Sequence, residues 1–179
     1  MPNTIASEEQ SAKHLAARAV MAYRAGFPVA LLSLISSSER PSGIVCDWKA
    51  QRDSFHNDEK LLSRAFAFIY IGSIVDQAIS DPISDQLRRE LVSDVSRALE
   101  ARQTAVDWGV SEAVKDTNPY AHTGYKLASR LLRMEQPLIV SLARELTSQG
   151  TIEGDALKSW LDRNASPLNF DELETSITY

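Results

Sequence analysis

Apolar positions recur with a helical period along most of the chain, and seven glycines and seven prolines interrupt them. The first helix is predicted to begin at Ser7, where Ser7 and Gln10 have the spacing of a capping box. Gly26 follows its last residue, Ala25, as the expected left-handed terminator. The same reasoning predicts further helices from about residue 55 to 80, from 84 to 109, from 119 to 149 and from 155 to 163.

Two short segments rich in Val, Leu and Ile have a strand-like composition. They are Phe27–Ser36 and Gly43–Trp48, and the polar break between them predicts a β-hairpin. Within the fourth helix, Pro137 is expected to kink or split the helix. The predicted fold class is therefore mainly α with a small β-hairpin, with a single domain over 1–165 and a flexible C-terminal tail over 166–179.

Composition and charge exclude several classes of function. The formal net charge is −5, which argues against general binding to nucleic acid or to anionic membranes. The longest apolar stretches, such as Ala65–Ile71, are shorter than the ~20 residues of a membrane helix. The polar N-terminus does not have the pattern of a signal peptide. Because Cys46 is the single cysteine, we expect a reducing compartment and a cytoplasmic protein.

Few residues in the chain have the spacing of catalytic groups. His14 and Arg18 stand four apart on the first predicted helix and therefore share a face. Two histidines at this spacing, with a glutamate after the first, form a zinc site with its general base. Taken alone, one histidine on an alanine-rich helix favours a packed or surface residue over a ligand. The chain has no phosphate loop of the form GxxxxGK[ST], so we expect no ATP binding.

Three segments, taken in order, resemble the peptidase domain of the FtsH-type ATP-dependent zinc metalloproteases. The first is the helix His14–Tyr23 with the strand region that follows, similar to the family's His-Glu-Ala-Gly-His-Ala-Val helix. The second combines Ser93–Leu99 with Trp108–Ser111, similar to the segment with the family's third metal ligand and its Gly-Met-Ser turn. The third, from Leu131 to Asp155, resembles the closing helices. The resemblance covers roughly residues 10–162 and implies an FtsH-type peptidase-like helical fold.

The resemblance also assigns roles to individual positions. His14 matches the first zinc ligand and Asp94 the third, whereas Leu15 falls on the catalytic glutamate and Arg18 on the second histidine. Ala17 replaces the motif glycine, and Val110 replaces the methionine after Gly109. Leucine takes no proton from a metal-bound water, and arginine is permanently charged. We therefore expect no catalytic residue, no metal and no other cofactor in this degenerate site.

The expected function is that of a pseudoprotease, a protein-binding or regulatory module. Self-association is also expected, because the full-length relatives form rings. Asp94 lies on an apolar stripe, and we hypothesise that it forms a salt bridge with Arg18 in the former metal site, with His14 alongside. Asp76 is expected to support this site, and in the alternative interpretation it caps a turn. In the alternative interpretation of Asp94, its side chain lies at the helix surface.

Two other functions remain open from the sequence. One is a working zinc metallopeptidase with altered ligands, in which His14 and Asp94 hold the metal with help from His56, Asp76 or another carboxylate. The other is an unrelated small-molecule pocket on a shared helical scaffold. His122 lies in a polar stretch and is expected to be solvated, as is His56. The tryptophans are expected to be core or interface residues, namely Trp48, Trp108 and Trp160.

Overall fold

Helices account for most of the structure, and one small sheet completes it. The computed structural model describes residues 3–35, 43–46, 60–78 and 118–178. In these ranges the elements are α1 (Asn3–Ala25), β1 (Val29–Ser33), β2 (Gly43–Cys46), α2 (Lys60–Ala78), α3 (Asn118–Gln149), β3 (Thr151–Glu153), α4 (Gly154–Asn164) and α5 (Phe170–Thr178). The predicted fold class, mainly α with a small β-hairpin, is confirmed. The helix predicted over 84–109 lies outside the described residues.

Helix α1 ends as the sequence predicted. Gly26 adopts a φ of 78°, in the left-handed region that glycine enters without steric penalty. Its N–H donates to the carbonyl oxygen of Tyr23, and the N–H of Phe27 donates to that of Ala22. These two bonds form a Schellman motif, which satisfies the last carbonyls of the helix and turns the chain into β1.

The sheet extends the predicted hairpin by one strand. Strands β1 and β2 pair antiparallel, with Leu32 opposite Ile44, and β3 adds to the other edge of β1 to give the order β2-β1-β3. Strand β3 was not predicted, because three residues are too few to show alternation of apolar and polar positions. It follows Gly150, whose carbonyl oxygen accepts a hydrogen bond from the N–H of Leu34. The sheet thereby joins the end of α3 to β1.

Helix α3 runs without interruption through Pro137, so of the two predicted effects of this proline the split is wrong, and the kink stays a prediction. Proline removes one backbone donor, which would have bonded to the carbonyl of residue 133. Both Pro137 and Arg133 are exposed, so water can hydrogen-bond the freed carbonyl and the ring projects into solvent. Among the described helices, none combines the length and the hydropathy needed to cross a membrane.

The core lies between α1, α2 and α3, which approach one another closely. On α3, Gly124 lies so near α2 that a Cβ atom would be 2.5 Å from Cβ of Phe66 and 2.8 Å from the carbonyl oxygen of Ser63. An ion pair of 2.6 Å between Arg24 and Glu135 joins the end of α1 to α3, with both side chains nearly buried. Because glycine and small residues line these contacts, the helices form one packed unit.

Helix α5 occupies most of the segment for which the sequence predicted a flexible tail. Phe170 and Leu173 are buried against the core, and Arg64 of α2 lies 5.3 Å from the centroid of the Phe170 ring. The Arg64 guanidinium also forms ion pairs with Glu174 at 2.8 Å and with Asp171 at 2.5 Å. Arginine 64 stands more than 100 residues before its partners, so no local pattern in the sequence indicates this attachment.

The two acidic partners of Arg64 differ in burial, which makes them a matched pair for measurement. Glu174 has a side chain 5% exposed and Asp171 one 72% exposed. We expect Glu174→Gln to lower the free energy of unfolding by about 3 kcal/mol, because it removes the buried counter-charge of the Arg64 guanidinium and leaves only the exposed one at Asp171. Asp171→Asn should lower it by less than about 1 kcal/mol, as exposed pairs do. Urea unfolding measures both, and equal effects would show that burial does not control this attachment.

Candidate functional site at the contact between α1 and α2

His14 and Arg18 lie together at the contact between α1 and α2, on the shared face that their spacing predicted. Both contact the position of Gly72 on α2. A Cβ atom at Gly72 would lie 2.6 Å from Cε1 and from Nε2 of His14, and 2.8 Å from Nε of Arg18. Only a residue without a side chain fits here, so Gly72 permits the imidazole and the guanidinium to pack against the α2 backbone.

Arg18 is buried, with 3% of its surface exposed. Its guanidinium carbon lies 5.7 Å from the centroid of the Phe68 ring, within the range of a cation–π contact. Phe68 precedes Gly72 by four residues and so shares its face of α2. His14, Arg18, Phe68 and Gly72 together are called the α1–α2 site below.

The two α1 residues around Arg18 that the resemblance singled out are apolar and buried. Leu15, at the position matched to the general base, is 9% exposed, and Ala17 is fully buried. Neither side chain has an atom that accepts or donates a proton. The described part of the site therefore holds one titratable group, His14, beside a permanent cation.

Cys46 of β2 lies near enough to Arg18 for its charge to act on the thiol. Burial raises the pKa of the Cys46 thiol to about 12, and the positive charge of Arg18 acts in the opposite direction without overcoming it. The thiol is therefore protonated at neutral pH and is a poor nucleophile. From the sequence, Cys46 indicates only the redox compartment, because strand pairing and not sequence spacing brings it near α1.

The remaining predicted site residues are not joined to this site by the described structure. Asp94 and His56 lie outside the described residues, as do Trp48 and Trp108. Asp76 belongs to α2, but its side chain is outside the described part of the chain. His122 is exposed on α3, as predicted for a solvated histidine, and Trp160 packs against the core. The hypothesis of a salt bridge between Arg18 and Asp94 thus stays a prediction.

The described residues of the α1–α2 site do not suit a zinc ion. A catalytic zinc site has three protein ligands and a water, whereas here one imidazole lies beside a guanidinium that would repel a dication. Within the described ranges, no three His, Cys, Asp or Glu side chains come close enough together to hold a metal ion.

A second concave region lies on the other side of α1, where the chain enters β1 and α4 begins. It encloses about 500 Å³, and its walls include Tyr23, Phe27, Val29, Leu157, Lys158 and Leu161. Tyr23 donates a hydrogen bond of 2.8 Å to Asp162, which also pairs with Lys158. Among the predicted site residues that the structure describes, none lines this cleft.

Comparison with protein-family models gives no match, and comparison with curated proteins finds no similar sequence.

Gly72→Ala tests whether the α1–α2 site depends on the close approach at this glycine. The added methyl group overlaps His14 and Arg18, so we expect the free energy of unfolding to fall by about 1–3 kcal/mol. This loss should appear although alanine is the better helix former by about 1 kcal/mol. Adding His14→Ala should recover part of the loss, because the smaller side chain leaves room. Strictly additive losses in chemical denaturation would contradict this contact.

A double-mutant cycle tests the predicted pair of Arg18 and Asp94. If Arg18 pairs with Asp94, Arg18→Met should lower the free energy of unfolding by about 3–5 kcal/mol, because it would leave a buried carboxylate without its counter-charge. If Asp94 is that partner, Asp94→Asn in the Arg18→Met background should cost at least about 1 kcal/mol less than in the wild type. Additivity within about 0.5 kcal/mol would assign the partner of Arg18 to another residue.

Proposed function

We propose that this chain is a catalytically degenerate FtsH-type metallopeptidase-like domain that acts by binding protein, as an adaptor, decoy or regulator. The observation that supports it most is the burial of Arg18 beside His14, in contact with the same glycine of α2. At this position the resemblance expects a second metal-binding histidine. A guanidinium held there opposes metal binding through its permanent charge.

The chemistry of hydrolysis gives further support to the proposal. A zinc peptidase needs a base that takes the proton of the metal-bound water. The residue at the matched position is Leu15, which is buried and apolar. The position of one zinc ligand and the position of the general base thus both carry residues unsuited to these roles. This favours a domain that retains its packing and does not catalyse peptide hydrolysis.

The proposed function also implies a compartment, a lack of cofactors and a kind of partner. We expect it to act in the cytoplasm without ATP or metal, and to bind a protein partner or a second copy of itself. Its net charge of −5 disfavours general association with nucleic acid or anionic membranes. These expectations rest on composition and on the resemblance.

Metal content and proteolysis test the loss of catalysis. Protein purified without chelator should contain far less than one zinc per chain, and casein should stay intact when zinc is added. His14→Ala should change neither result. His122→Ala is the matched control, since it removes an exposed histidine on α3.

One pattern of results would overturn the proposal in favour of a zinc metallopeptidase with altered ligands. In that pattern the wild type and His122→Ala carry stoichiometric zinc and cleave casein, while His14→Ala loses both properties. The double-mutant cycle on Arg18 and Asp94 does not decide this question, because it reports on packing and not on turnover.

A further inference from the structure

Three cations line the side of α3 that faces away from the core. Lys126, Arg130 and Arg133 are all exposed and stand at positions i, i+4 and i+7, which places them on one helix face. At the rise of an α-helix they span about 10 Å. These three residues are called the cationic face below.

The positive charge of this face is not neutralised within the described part of the protein. Lys126 and Arg133 form no ion pair there, and Arg130 donates a hydrogen bond of 3.1 Å to the neutral hydroxyl of Ser176. The nearby acidic residue of α3, Glu135, is buried on the opposite side and paired with Arg24. A local excess of three positive charges is notable in a chain whose net charge is −5.

Two exposed apolar side chains border the cationic face. Tyr125 is 47% exposed and Met134 is 50% exposed, and they lie on opposite margins of the face. Tyr125 is held in place, because its ring packs against the Tyr70 ring in a T-shaped arrangement with the centroids 6.0 Å apart, and Tyr70 stacks on Phe66 at the same centroid distance. A fixed, half-exposed aromatic ring beside cations has the composition of a protein-binding surface.

We infer that the cationic face binds an acidic segment of a partner protein that carries apolar side chains between its carboxylates. Charge complementarity selects the carboxylates, and Tyr125 and Met134 contact the apolar side chains. This inference rests on the proposed function as a protein-binding module and names the chemistry of its partner. Nucleic acid is disfavoured as the occupant, because three cations over about 10 Å form a short footprint on an acidic protein.

A defined peptide tests the inference directly. The probe is a fluorescein-labelled helical peptide of about 16 residues, with Glu at i, i+4 and i+7 and Leu at the positions between them. We expect saturable binding to the full chain by fluorescence anisotropy. The affinity should weaken about tenfold between low and high salt, because exposed charges are screened.

Charge reversals locate the binding surface. Lys126→Glu and Arg133→Glu should each weaken binding about tenfold, whereas Arg163→Glu, which reverses an exposed cation on α4, should change it less than about twofold. Tyr125→Ser should weaken binding without altering its salt dependence. Circular dichroism checks that each variant folds, and all four substituted side chains are exposed.

Several results would overturn the inference. They are the absence of saturable binding, equal losses in the α3 variants and in Arg163→Glu, or tighter binding of a single-stranded oligonucleotide than of the peptide. Any of these would remove the cationic face as the docking surface while leaving the zinc and casein results unchanged. Failure of this inference is thus distinguishable from failure of the proposed function.

Discussion

Close approach between helices is the constraint on which the rest of this structure depends. From Leu15 to Ala22 every residue of α1 is buried, which α1 achieves largely with alanines. Opposite it, Gly72 lets α2 approach α1, and Gly124 lets α3 approach α2. Helices this close leave no room for solvent around a side chain in the contact. The environment of Arg18 is therefore set by helix packing, and its charge must be balanced from within the protein.

Helix ends and the hairpin, which local signals define, were predicted well, whereas the start of α1 was not: the helix begins at Asn3, before the capping box predicted at Ser7. The ends of α1 and α3 follow from glycines whose left-handed conformation terminates a helix, and the hairpin follows from two apolar runs around a polar break. Elements that depend on contacts with residues distant in the sequence were not predicted. Strand β3 exists because β1 offers it an edge, and α5 is attached through Arg64 on α2. Similarly, Pro137 is tolerated within α3 because its side of the helix faces water. The spacing of apolar and polar residues alone did not predict this.

In the candidate site, too, one part was predicted from local sequence signals and another part was not. Helical spacing was enough to place His14 and Arg18 on one face. The residues opposite them, Phe68 and Gly72, depend on how α1 crosses α2, and the sequence offered only an isolated glycine inside a helical pattern. The replacement of catalytic groups at these positions is a prediction from the resemblance, whereas the burial of Arg18 is a property of the folded structure. Its pairing with Asp94 remains a prediction.

The protonated thiol of Cys46 has a practical consequence for chemical labelling of this protein. Burial raises the pKa of this thiol far above neutral pH, so very little of it is thiolate there, and thiol-directed reagents react through the thiolate. A cysteine introduced at an exposed position of the folded protein would react far faster. Spectroscopic probes can therefore be attached at one chosen place without first removing the native cysteine, which leaves the surroundings of Arg18 undisturbed.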